Sequence, residues 1–146
     1  MPVPGELPVD VVERDEVTVM FKRVADEQSA ITRGWAEFEQ ALGSLRGRKF
    51  YGAADGGSFQ GNGEGEYRIC VQLRDDDNPA ALGLEVGTLP GGRYARVRLE
   101  GQPPAVYGLI GPAVERLADR QDCDPSRPVI EFYRRHDVID LLQPVT

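Results

Sequence analysis

Two carboxylates stand in this chain where a strand should be apolar. In the run Val129–Arg134, the side chains of Val129, Glu131 and Tyr133 share one side, and Ile130 and Phe132 share the other. The second pair is purely apolar and belongs against helices, which puts Glu131 on the side that helices leave bare. In the following run, Val138, Asp140 and Leu142 share a side in the same way. A carboxylate inside an apolar strand is costly unless it is solvated, paired or used. The ordinary reading of both acids is a solvated or arginine-paired side chain, with Arg134 or Arg68 as partner. The functional reading is a pocket acid. Among apolar neighbours such an acid attracts a cation, or holds a proton that it can give to a substrate.

Other chemistries fail for want of residues. His136 is the one histidine and falls in a predicted turn, so a Ser-His-Asp or Cys-His relay has no other base. Cys70 and Cys123 show no paired spacing, which excludes an ordinary structural zinc site and points to a reducing cytoplasm. Asp75-Asp76-Asp77 lacks the glycine and terminal glutamate of a calcium loop and reads as a solvated turn. No metal and no cofactor are expected. The glycine-rich stretch from Gly56 to Glu66 follows neither the P-loop nor the dinucleotide pattern, and reads as a hairpin loop. With 17 Lys and Arg against 24 Asp and Glu, the formal charge is −7, and the arginines are scattered, which weighs against direct nucleic-acid binding. No apolar run reaches the length of a membrane span, and the first ten residues do not resemble a signal peptide.

The elements that must position these residues follow from periodicity. Residues 1–8, rich in proline, form a flexible lead. Val9–Val12 and Val17–Phe21 read as strand. Ile31, Trp35, Phe38, Leu42 and Leu45 make one apolar stripe, so a helix is predicted over about 27–45, capped by Asp26 or Ser29. Lys49–Gly52 and Glu66–Leu73 are strands, as are Leu84–Val86 and Tyr94–Leu99. A second helix opens at Gln102-Pro103-Pro104 with Val106, Ile110, Val114 and Leu117 on one stripe, and Gly111-Pro112 should kink or split it. Val129–Arg134 and Val138–Val145 close the chain as a hairpin around Arg135-His136-Asp137. The order strand, helix, strand, strand occurs twice. The expected fold is therefore a single α+β domain over 9–146, built of two pseudo-repeats, about 9–74 and 84–146. They form an antiparallel sheet with helices on one face. A ligand groove is expected between the halves, on the face the helices leave bare.

The segments LEVGTLPGGRYARVRLEGQPP and RPVIEFYRRHDVIDLLQPV, with KFYGAADGG and EYRICVQL before them, resemble the GyrI-like small-molecule-binding domains. These include the effector-binding domains of AraC-type and MerR-type multidrug regulators. The resemblance runs from about Val9 to Val145. It implies that Glu131 lies at the bottom of a pocket beside Tyr133, with Tyr51, Tyr67 and Trp35 as aromatic walls. By the same resemblance Asp140 is the acid of the last strand, and Leu142 stands where an aromatic is usual. The implied function is a stand-alone cytoplasmic module that binds a hydrophobic or cationic drug-like molecule. It has no membrane partner, and a protein partner or a second copy is compatible with it. Two alternatives come with the family. One is a hydrolase of electrophilic, cyclopropane-type natural products with Glu131 as its catalytic acid. The other is a gyrase-inhibitor-like protein acting through its acidic surface.

Overall fold

The computed structural model describes residues 7–54 and 62–146. Its strands are β1 (Asp10–Arg14), β2 (Val17–Glu27), β3 (Phe50–Ala54), β4 (Asn62–Gln72), β5 (Glu85–Leu89), β6 (Gly92–Glu100), β7 (Val129–Arg135) and β8 (Val138–Pro144). Helix α1 (Gln28–Leu42) follows β2, and α2 (Ile110–Ala118) follows β6. All the described strands join one antiparallel sheet in the order β1-β6-β8-β7-β3-β4-β2-β5. The class is α+β.

Two short connections force this sheet to curl. β1 stands first in the order and β2 seventh, yet only Asp15 and Glu16 join them. In a flat sheet six strand spacings of about 4.8 Å would separate them by about 29 Å. Three Cα steps span at most about 11 Å. β5 and β6, eighth and second, are joined by Pro90 and Gly91 alone. The sheet therefore bends until its two ends meet. At that meeting point a Cβ on Gly91 would lie 2.8 Å from the Glu16 nitrogen.

The curl gives the molecule two cores on opposite faces of one sheet. On the outer face α1 lays Phe38 with Ile31, Trp35 and Leu42 over Met20, Tyr67, Ile69 and Val71. α2 lays Ala113, Val114 and Leu117 over Val97, Leu99, Ile139 and Leu141. The inner face closes on itself without a helix and buries Phe21, Tyr51, Cys70, Tyr94, Ile130 and Leu142.

Several local expectations shift. α1 starts at Gln28 and is capped by Glu27, whose carboxylate accepts the Ser29 and Ala30 N–H groups, in place of Asp26 or Ser29. It ends at Leu42, before Leu45. β4 reaches back to Asn62, so the end of the glycine-rich stretch is strand; residues 56–61 lie outside the described residues, as do residues 1–6 of the lead. Gly111 and Pro112, expected to kink or split the second helix, lie inside α2, which runs on through them. A 3-10 segment, Ala105–Leu109, comes first, and Pro112 then sits in the first turn of α2, where a missing N–H is harmless.

Phe38 is 1% exposed at the centre of the α1 core. Phe38→Ala is expected to destabilise the domain by about 3–5 kcal/mol. Chemical denaturation with an unchanged m-value checks it.

Candidate ligand-binding site

α1 packs on β2 and β4, and α2 packs on β8 and β6. The central strands β3 and β7 have no helix directly above them. A cavity of about 1060 Å³ fills that space, at the upper end of the range for small-molecule sites. Ile31 and Trp35 of α1 form one wall, Tyr107 and the α2 residues Ile110 and Val114 the other, and Tyr67, Glu131 and Tyr133 the floor.

Glu131 is only 4% exposed. It faces Gly52 on β3 and Leu141 on β8, which places it on the helix-covered face. This corrects the expected orientation of β7. Ile130 and Phe132, the pair expected against the helices, face the inner core instead. The curl makes that face apolar and buried without any helix.

The carboxylate is held by phenols. The Tyr67 hydroxyl donates to Glu131 Oε1 at 2.5 Å, and the Tyr133 hydroxyl hydrogen-bonds to the same carboxyl group. Burial pushes the Glu131 carboxyl up to about 7, against the pull of these two bonds and with a further push from the Asp26 charge. Burial, and then the Glu131 charge, raise Tyr67 and Tyr133 well above the usual phenol value. Between the three groups, the first proton to leave as pH rises is therefore that of Glu131.

Aromatic rings surround this floor. Trp35 meets Tyr133 edge-on at 5.3 Å between centroids and Phe50 at 6.1 Å. Cationic side chains at the rim are turned to acids of their own. Arg48 forks onto Asp77 at 2.9 and 2.8 Å, Arg134 lies 3.7 Å from Asp140, and Arg135 lies 3.9 Å from Asp137. Asp26, 3% exposed, is a second buried acid of the lining.

Of the residues singled out in the sequence, Glu131, Tyr133, Tyr67 and Trp35 meet in this cavity. Tyr51, Asp140 and Leu142 lie on the inner face, away from it. Tyr51 stacks on Phe132 at 4.8 Å. Leu142 belongs to the inner core. Asp140 is fully buried and takes a two-pronged bond from Arg98, at 2.7 and 3.1 Å. Sequence reasoning missed Asp26 as a lining residue, reading it as a cap, and missed Gly52 and Tyr107. A glycine in mid-strand marks a close approach, and that signal was present at Gly52. Among the described residues there is no cluster of metal-ligating side chains and no helix long and apolar enough to cross a membrane.

No protein-family model matches the chain, and no curated protein matches it in sequence. Solved structures do match in fold. An integron cassette protein from the mobile metagenome of Vibrio cholerae superposes with TM-score 0.73 at 19% identity, covering 94% of this chain and 95% of that one. SAV2435 bound to tetraphenylphosphonium gives TM-score 0.62 at 14% identity, covering 96% and 94%. The C-terminal domain of EcmrR gives 0.61 at 11% identity, covering 96% and 97%. At such identities the likeness is one of fold.

Two expected outcomes follow from the two strand-centre acids. The Glu131 carboxyl sits at about 7 in the fold against 4.5 ordinarily, so the folded state holds the extra proton between those values. Stability from this group is full below about 4.5 and falls as pH rises to about 7, by on the order of 3 kcal/mol. Glu131→Gln lacks that loss, so its stability relative to wild type should rise over the same interval, as read by denaturation at successive pH values. Asp140→Asn is expected to cost about 2–3 kcal/mol by weakening a buried, charge-assisted pair, while leaving ligand binding in the cavity unchanged.

Proposed function

We propose that this chain is a binding module for a hydrophobic small molecule, above all a lipophilic cation, held in the cavity with Glu131 as its counter-ion. The carrying observation is a buried carboxylate supported, among the described residues, by neutral phenols at the floor of an aromatic-walled cavity. Ring faces attract a cation by ~0.5–2 kcal/mol each, and Trp35 and Tyr133 are aromatic residues of the lining. That a fold neighbour, SAV2435, is bound to tetraphenylphosphonium supports the reading. Free thiols at Cys70 and Cys123 fit a reducing, cytoplasmic setting.

The same reading takes residues 9–146 as one domain of two related units, 9–74 and 84–146. Outward from the β3–β7 seam the strands run β3-β4-β2 on one side and β7-β8-β6 on the other, each set carrying its own helix. The first strand of each unit is exchanged, β1 pairing with β6 and β5 with β2. The cavity then straddles the two units.

A hydrolytic reading has one observation in its favour. A carboxyl titrating near 7 is matched to proton transfer at neutral pH. Conversion of a cyclopropane-type electrophile to its hydrated product, detected by mass and lost in Glu131→Gln, would establish it. Stoichiometric binding without conversion supports the binding module.

Trp35 is the chain's one tryptophan, so its fluorescence reports the cavity wall. Titration with tetraphenylphosphonium should give a saturable change. Glu131→Gln should weaken binding at pH 8 by tenfold or more, about 1.4 kcal/mol. Below about pH 7 the cation must displace a proton, so wild-type affinity should fall towards tenfold per pH unit while that of Glu131→Gln stays flat. Equal binding by both proteins at pH 8, or silence from wild type across a panel of lipophilic cations, overturns the proposal.

A further inference from the structure

We propose that Gly52 is a positioning residue for Glu131: the space left by its missing side chain is the slot through which the Tyr67 hydroxyl crosses β3 to reach the carboxylate on β7. β3 runs between β4 and β7 in the sheet. Glu131 stands directly opposite Gly52, and Tyr67 opposite Ala54, so the Tyr67–Glu131 bond runs diagonally over β3. A Cβ on Gly52 would lie 1.9 Å from Tyr67 Oη, 2.7 Å from Tyr67 Cζ and 2.4 Å from Glu131 Oε1. The carboxylate can swing aside. The phenol has no such freedom, because its rigid ring is packed in the α1 core, so a methyl group here is accommodated only by shifting the whole ring and breaking its bond to Glu131.

Backbone conformation does not explain this glycine. Gly52 is not among the glycines with positive φ, and it sits in regular antiparallel pairing on both sides. A side chain could be borne by that backbone; what it could not share is the space. Ala54, the next residue on the same face of β3, is also small and stands opposite Tyr67.

The groups that face Glu131 are Tyr67 from β4, Tyr133 from β7 and Asp26 from β2. Glu39 of α1, Glu115 of α2, Tyr107, Arg48, Arg134, Arg135 and His136 are the titratable and charged groups around the rest of the cavity. Blocking the slot removes one of the two phenol donors, Tyr67, and leaves the other, Tyr133, in place. A carboxylate with fewer donors holds its proton to higher pH. The inference rests on reading Glu131 as the working acid of the cavity, but its test needs no ligand.

The pH at which Glu131 titrates is read from its side-chain carboxyl carbon by NMR in the ligand-free protein. Tyr67→Phe should move that midpoint upward. Gly52→Ala should move it upward by a similar amount, and Gly52→Ala in the Tyr67→Phe background should move it no further. If Gly52→Ala does not fold, the readout is rescue, because replacing Tyr67 by Leu removes the ring and should restore a cooperative transition. A wild-type midpoint in folded Gly52→Ala, additive shifts in the double variant, or a Gly52→Ala defect equally severe with Leu at 67 overturns the proposal. Failure of cation binding with these shifts intact would sink the binding reading and leave the role of Gly52 standing.

Discussion

A carboxylate taken out of water and answered only by neutral donors is the constraint around which this site is built. An unpaired carboxylate deep in protein is too costly to stay charged, and the usual relief is to shift its titration until it is neutral. Two hydrogen bonds to the ionised form return about 1.5–3 kcal/mol each. That is enough to hold Glu131 near 7 but not to return it to the ordinary carboxylate range. A cation at about 4 Å would contribute about 4 kcal/mol at an effective dielectric constant of 20, more than either phenol. The arrangement is thus close to balance at neutral pH, and a positive charge entering the cavity tips it towards the ionised form.

That balance depends on where the helices lie. Each helix covers an outer pair of strands, β2 with β4 and β6 with β8, and neither covers the seam of β3 and β7. A helix with its side chains is about 10 Å wide, so two helices over an eight-stranded sheet cannot shield all of it. The uncovered strip is the cavity. Its floor is buried because the helices stand on both sides, and roomy because nothing stands between them. Gly52 and Ala54 on the cavity side of β3 keep the strand beneath it low.

Much of this was legible from residue order. The α+β class with its two helices and antiparallel strands is present, as is the apolar stripe of α1. Glu131, Tyr133, Tyr67 and Trp35 do meet. What misled was the face. Alternation within a strand tells which side chains travel together but not which set meets the helices, and the rule that one face of an antiparallel sheet is solvated fails here. The reason is topological. Two-residue links between strands at opposite ends of the sheet close the inner face on itself, so Ile130 and Phe132 are buried without a helix. Pairing between strands eighty residues apart, such as β1 with β6, is not encoded in any local period. Tyr51 and Leu142, named by resemblance, and Asp140 lie on that inner side.

Asp140 and Glu131 show how one sequence feature has two physical solutions. Both are acids at the centre of strands and both are buried, 0% and 4% exposed. Asp140 receives a two-pronged guanidinium from Arg98, with Arg134 beyond it, so its charge is cancelled within the protein. A cation arriving there would have to compete with Arg98. Glu131 has no arginine opposite it in the sheet; its cross-strand neighbours are Gly52 and Leu141. Its donors satisfy its lone pairs and leave its charge uncancelled. The residue across the strand separates the two cases: Arg98 pairs in register with Asp140, whereas a glycine and a leucine flank Glu131. In a sheet of known register, an acid facing an arginine has its charge cancelled across the strand, and an acid facing small or apolar neighbours does not.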